Sequence, residues 1–187
     1  MFTQRIKKIV FLITLTLSIS GIGTYIYYTT KNQGPIYDFD SARDTQAILN
    51  IFEKNKYWLL ANPQSSPAFM IKNRTYDTNP LHFGTMHIKV LYENDKLAGF
   101  TTYHLGNSPQ EGRILFVAVD QDFRGKGYGK ILTEYAMKEL FKMGVTHIAL
   151  WTRVENLPAQ RIYKGLGFKE VFDDGGYMFL QYWPSKI

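Results

Sequence analysis

Arg124-Gly125-Lys126-Gly127-Tyr128-Gly129-Lys130 decides how this chain is read, because it follows the apolar run Ile114-Leu115-Phe116-Val117-Ala118-Val119 and opens a segment with helical spacing. Glycines at 125, 127 and 129 let successive backbone N–H groups turn toward one point. The helix that follows adds its positive end, and Arg124, Lys126 and Lys130 add cationic side chains. A strand, loop and helix of this kind cradle a diphosphate. Two better-known phosphate loops do not fit. The dinucleotide fingerprint G-x-G-x-x-G, counted from Gly125, puts Lys130 where the third glycine belongs. The P-loop needs Ser or Thr after its lysine, and here Ile131 follows Lys130. The plainer alternative for the heptapeptide is a Gly-rich turn with solvated lysines.

Arg124-x-x-Gly127-x-Gly129 after a strand resembles the acetyl-CoA motif of the GNAT superfamily of N-acetyltransferases, R/Q-x-x-G-x-G/A. Further on, Asn156-Leu157-Pro158-Ala159-Gln160-Arg161-Ile162-Tyr163-Lys164-Gly165-Leu166-Gly167-Phe168 is similar to that superfamily's N-x-x-A-x-x-x-Y-x-x-x-G-F signature at every fixed position. The two motifs stand in the superfamily's order, separated by one helix pattern and one strand pattern. The resemblance covers roughly residues 35 to 187, although the stretch 61–85 matches nothing in it.

The resemblance implies an α/β (α+β) fold with a mixed, mostly antiparallel sheet flanked by helices. It also implies an acyltransferase that moves an acetyl group from acetyl-CoA, its co-substrate, to an amine by direct attack in a ternary complex, with no metal. Coenzyme contacts are implied at Arg124, Gly125, Lys126, Gly127, Tyr128, Gly129 and Lys130, at the strand backbone of Val117, Ala118 and Val119, and at Asn156 and Ala159. Tyr163 matches the tyrosine that faces the coenzyme sulfur and is the expected general acid for the departing thiolate. It lies four residues after Ala159, hence on the same helix face.

Attack needs a neutral amine. With an unperturbed pKa near 10.4, only about one lysine-like amine in a thousand is neutral at pH 7, so a base or a water relay is required. The strand before the Gly-rich loop offers only Glu111, at its start, and His104 and Asp173 are further candidates. The acceptor stays open between a small amine and a protein amine. With no obvious base, a coenzyme-binding sensor or scaffold without turnover is the alternative reading.

Composition narrows the field. A chain of 187 residues, 45% apolar and 16% aromatic, is sized for one domain with a full core. Of the 22 basic residues, Arg5, Lys7, Lys8 and Lys31 lie in a stretch that holds no acid, leaving the rest of the chain 18 bases against 16 acids. That near-balance argues against nucleic acid as a partner. With no cysteine, disulfides, thiolate zinc sites and cysteine nucleophiles are excluded, and His82, His87, His104 and His147 show no metal-binding spacing.

Ile9 to Tyr28 is 20 residues without a charge, which as a helix reaches about 30 Å, the thickness of a bilayer's hydrocarbon core. Tyr25, Tyr27 and Tyr28 gather at its far end, as at a headgroup layer. The expected order is a basic tail 1–8, a single membrane-spanning anchor 9–28 or else a signal peptide, a linker 29–34 and the N-acetyltransferase domain 35–187. The positive charges ahead of the span favour a cytosolic N-terminus and a domain across the membrane. Use of acetyl-CoA favours a cytosolic domain, so the side stays open.

Along the domain, alternation predicts a strand at 36–39, and Asp44 or Thr45 is the expected cap of a helix running to about Asn55. The segment from Asn62 to Thr85 reads as a long loop, which the resemblance makes the shaper of the acceptor pocket. An antiparallel meander is expected at 87–92, 97–104 and 113–119, followed by a helix at 128–143 and a strand at 146–151. A short helix with Pro158 in its first turn ends near Gly165 or Gly167, and strands at 169–172 and 177–182 close the domain.

Overall fold

The computed structural model describes residues 36–60, 71, 83–106 and 108–184. The chain divides into the units 1–33 and 34–187, and all described residues belong to the second. The basic tail, the 9–28 span and the linker therefore lie outside the described residues. Among the described residues no helix is long and apolar enough to cross a membrane.

The elements in order are β1 (Ile36–Asp38), α1 (Ser41–Leu59), β2 (Phe83–Glu93), β3 (Lys96–Leu105), β4 (Glu111–Val119), a 3-10 turn (Gln121–Phe123), α2 (Tyr128–Lys142), β5 (His147–Arg153), α3 (Leu157–Gly165), β6 (Lys169–Asp174) and β7 (Tyr177–Tyr182). The strands form one sheet in the order β1-β2-β3-β4-β5-β7-β6. Every neighbouring pair is antiparallel except β4 and β5, which α2 connects as a crossover. This is the expected mixed, mostly antiparallel sheet flanked by helices.

Turn chemistry explains the joints. Asn94 and Asp95, with φ of 49° and 61°, make the tight left-handed turn of the β2–β3 hairpin. The Asn156 side chain caps α3 by accepting the Ala159 N–H at 3.3 Å. Gly167, at φ 94°, ends that helix and lets the Phe168 N–H return to the Tyr163 carbonyl at 3.0 Å.

The start of α1 departs from expectation. Asp40 is the cap, accepting the Ala42 and Arg43 N–H groups at 2.9 Å, and α1 runs on to Leu59. Asp44 is instead a buried carboxylate that takes the Asp40 N–H at 2.8 Å, the Arg43 Nε at 2.7 Å and the Tyr92 hydroxyl. Burial alone would raise its pKa, but these donors outweigh burial and hold it below the usual carboxylate range. β2 also begins at Phe83, inside the stretch read as loop, while 61–70 and 72–82 lie outside the described residues.

Each sheet face has its own core. On one face Ile48, Ile51 and Phe52 of α1 pack on Ile88, Val90, Phe100 and Phe116, with Phe52 edge-on to Phe116 at 5.2 Å. On the other, Ala136 and Leu140 of α2 and Tyr163 of α3 pack on Ile114, Ile148 and Leu150. Each such large side chain, fully buried, contributes about 1.5–3 kcal/mol. Together the two layers clamp β4 and β5 from both sides.

Candidate active site

β4 and β5 run side by side only over Glu111–Ile114 and His147–Leu150. Leu115 is an extra residue, since Ile114 lies opposite Tyr103 and Phe116 opposite Thr102, and β4 bulges there. Beyond the bulge β5 stays with β7 as far as Arg153, while β4 stays with β3. The strands part, and the β4 edge faces a gap. The Phe116 N–H donates to Thr102 Oγ1 at 3.1 Å and the Asp120 N–H to the Ala98 carbonyl at 2.8 Å, both toward β3. By alternation the backbone groups of Val117 and Val119 turn the other way, into the gap.

A cavity of about 470 Å³ fills this gap. Its walls include Val117, Ala118 and Val119 of β4, the loop residues Arg124, Gly125 and Gly127, and Tyr128 and Gly129 of α2. Asn156, Ala159 and Tyr163 close it from α3. Two distant motifs thus meet on one space.

The loop residues have separate reasons to be what they are. Gly125 and Gly127 sit at φ 79° and 83°, where a β-carbon is strained whatever the space around it. Gly129 has ordinary dihedrals, but a β-carbon there would lie 3.1 Å from Ile162 Cδ1, so it lets α2 pass close to α3. Gly127 caps α2 without a side chain, and the first helical bond runs from Ile131 N–H to its carbonyl at 3.2 Å. The N–H groups of Tyr128, Gly129 and Lys130 precede that bond and have no acceptor within the helix.

The three cations separate. Arg124 lines the cavity, held by a 2.6 Å bond to Asn55 Oδ1 of α1, with its Nε 3.5 Å from the Val119 carbonyl. Lys126 pairs with Glu93 at 2.8 Å, packs over the Phe123 ring and is not part of the wall. Lys130 lies 3.7 Å from Glu134 and faces a neighbouring cleft that it shares with Arg161.

Tyr163 lies in the wall with 8% of its surface exposed, and burial pushes its phenol up to about 12. It stays protonated through the physiological range. None of the expected bases reaches the cavity wall. His104 is buried in β3 with Nδ1 2.6 Å from the Leu105 carbonyl. Glu111 pairs with Arg113 and lies 3.8 Å from His147, at the closed end of the β4–β5 pair. Asp173 is exposed on β6, the edge strand. Among the described lining residues there is no carboxylate and no imidazole.

Other wall residues belong to neither motif: Asn55, Trp58 and Leu59 of α1, and Trp151 and Thr152 of β5. A usable signal was the placement of two of the three tryptophans at the ends of these elements, where they keep 39% and 42% exposure. Among the described residues no cluster of His, Asp or Glu could hold a metal ion.

The model of the acetyltransferase (GNAT) family matches residues 46–168. The [ribosomal protein bS18]-alanine N-acetyltransferase of Escherichia coli K12 is 32% identical over 108 residues, 57% of this chain and 70% of that protein. The mycothiol acetyltransferase of Corynebacterium jeikeium is 36% identical over 87 residues, which are 46% of this chain but only 23% of that protein. A putative acetyltransferase of Salmonella typhimurium, solved with its cofactor acetyl-CoA, superposes with a TM-score of 0.64 at 18% identity, covering 80% of this chain and 92% of that one. The N-acetyltransferase PaiA of Thermoplasma acidophilum, solved with coenzyme A, gives 0.61 at 17% identity, covering 80% and 98%. The structural matches speak for the fold, and the family match speaks for the chemistry: the chain belongs to the acetyltransferase (GNAT) family and is an acyltransferase.

Proposed function

We propose that the chain acetylates an amine by direct transfer from acetyl-CoA, with both substrates held at once in the gap between β4 and β5. The observation that carries this reading is the convergence of an unpaired strand edge, a helix N-terminus and a buried phenol on one cavity of about 470 Å³. A diphosphate suits the loop, because two left-handed glycines and the first amides of α2 stand beside Arg124. The exposed edge at Val117 and Val119 suits the pantetheine amides as an added strand, and in this reading one of its N–H groups polarises the acetyl carbonyl. Asn156 and Ala159 bound the arm from α3.

Tyr163 donates to the sulfur as the C–S bond breaks, and the nitrogen that has gained the acetyl group gives up a proton in return. Overall an ammonium and a thioester yield an amide, a thiol and one proton to solvent. Because burial raises Tyr163, the protonated phenol is the favoured form and the phenolate takes a proton back after each transfer. The described wall supplies no base, so the amine enters neutral or sheds its proton through water. Lys126 acts at most as a distant charge, since Glu93 already pairs with it. The uncharged residues 9–28 serve in this reading as a single-pass anchor, testable by alkaline extraction of membranes from cells that make the full chain.

Calorimetric titration of acetyl-CoA into the full chain, with CoA release followed against a panel of amines, tests the whole reading. Binding with release is expected. Binding without release from any amine would favour the sensor reading, which the absence of a described base supports. No binding would end both.

A further inference from the structure

We infer that the acceptor is a small amine with a single positive charge, carried on an aromatic or bulky apolar group; this rests on the transferase reading above. The end of the cavity away from the Gly-rich loop is walled by Trp58 and Leu59 from the end of α1 and by Trp151 and Thr152 from the end of β5. The two indoles keep 39% and 42% of their surface exposed, and each packs against other aromatic rings.

Trp58 is backed edge-on by Tyr57, with ring centroids 4.8 Å apart. Tyr57 is fixed in three ways. Its carbonyl accepts from Arg153 Nε at 2.5 Å, its hydroxyl donates to Glu155 at 2.7 Å, and its ring stacks under the Arg153 guanidinium at 4.1 Å. Trp151 rests on Phe179 at 4.8 Å and Phe172 at 5.4 Å. Aromatic walls braced in this way give up little side-chain freedom when a ring or a branched chain covers them.

Charge narrows the acceptor further. No carboxylate is among the described wall residues, and the nearest described cation at that end, Arg153, is lodged between the Tyr57 and Tyr177 rings. Glu155 is exposed and engaged by Tyr57. One ammonium can approach over an indole face. A second or third would find no counter-charge among the described wall residues and would stand near a guanidinium. Polyamines and lysine-rich segments are therefore disfavoured, whereas arylalkylamines fit.

The test uses the full chain, acetyl-CoA and four acceptors: 2-phenylethylamine, ethylamine, spermidine and a short peptide with an N-terminal alanine. The expected order puts kcat/KM for 2-phenylethylamine about 10- to 100-fold above both ethylamine and spermidine, the scale of one buried ring. Trp58→Ala and Trp151→Ala should each raise KM for 2-phenylethylamine several-fold more than KM for ethylamine. Trp151→Phe, which keeps a ring on Phe179, should restore most of the loss. Spermidine or the peptide outranking 2-phenylethylamine would overturn the proposal, as would acetyl-CoA binding with no acetylation of the aromatic amine. Failure to bind acetyl-CoA at all would instead strike the transferase reading beneath it.

Discussion

The two ends of the cavity are built from different materials. At one end the groups facing inward are backbone: the amides that open α2, the edge of β4, and glycines whose φ of 79° and 83° turn the chain. At the other they are side chains, Trp58 and Trp151, brought together from residues far apart in the chain and braced by Arg153, Tyr57 and Phe179. In the proposed reading the backbone end takes the invariant part of the coenzyme, a diphosphate and an amide-bearing arm. Side chains can be exchanged without disturbing the fold, and the proposal puts selectivity for the acceptor on them. Tyr163 stands between the two ends.

Replacing that joint should have the largest effect. Tyr163→Phe keeps the ring that packs edge-on to Phe168 at 6.0 Å and removes only the proton donor, so kcat should fall about 10²-fold or more with little change in acetyl-CoA affinity. Unchanged turnover would make the residue a packing aromatic. In the parent protein, kcat/KM should rise with pH as the acceptor loses its proton, with no downturn from Tyr163 until pH nears 12, where the phenol ionises. A profile falling below about pH 10 would show the phenol less buried than this.

Gly127→Val tests the backbone end. Nothing in the protein lies within 4 Å of a β-carbon there, so any loss must come from the left-handed φ and from the ligand space above it. A β-branched residue resists that conformation by about 1–3 kcal/mol, and acetyl-CoA binding measured by calorimetry should weaken roughly 10- to 100-fold. Retained affinity would break the contrast between the two ends.

A smaller effect should follow from Asn55→Ala, which frees Arg124 from its 2.6 Å bond without touching the loop. The KM for acetyl-CoA should rise about fivefold, the worth of one charge-assisted hydrogen bond, with kcat preserved. Lys126→Ala should do least, within about twofold, because an exposed pair with Glu93 contributes little. A large loss there would mean that Lys126 leaves Glu93 when the coenzyme binds.

The Gly-rich loop and α3 were largely legible in the chain because their geometry is local. Arg124 to Lys130 lies within one loop and the first turn of α2, and Asn156 to Phe168 within α3 and its caps, so spacing reports local structure directly. Side chains are less legible where a distant partner decides. Asp44 has the look of a helix cap, yet Tyr92 and Arg43 draw it inward and Asp40 takes the cap. Lys126 is expected beside the coenzyme, and the structure pairs it with Glu93 of the β2–β3 hairpin. Glu111 and His104 are spent on Arg113 and on the Leu105 carbonyl before either could serve as a base.

The family, the order of strands and helices, the glycines of the loop and the phenol of α3 follow from the chain alone, because periodicity, turn residues and motif spacing are properties of neighbours in it. That β4 and β5 part after Ile114, which of three cations faces the gap, and that two tryptophans wall its far end follow only from packing. Each of those outcomes depends on side chains from separate elements competing for one place, and spacing along the chain carries no record of that competition.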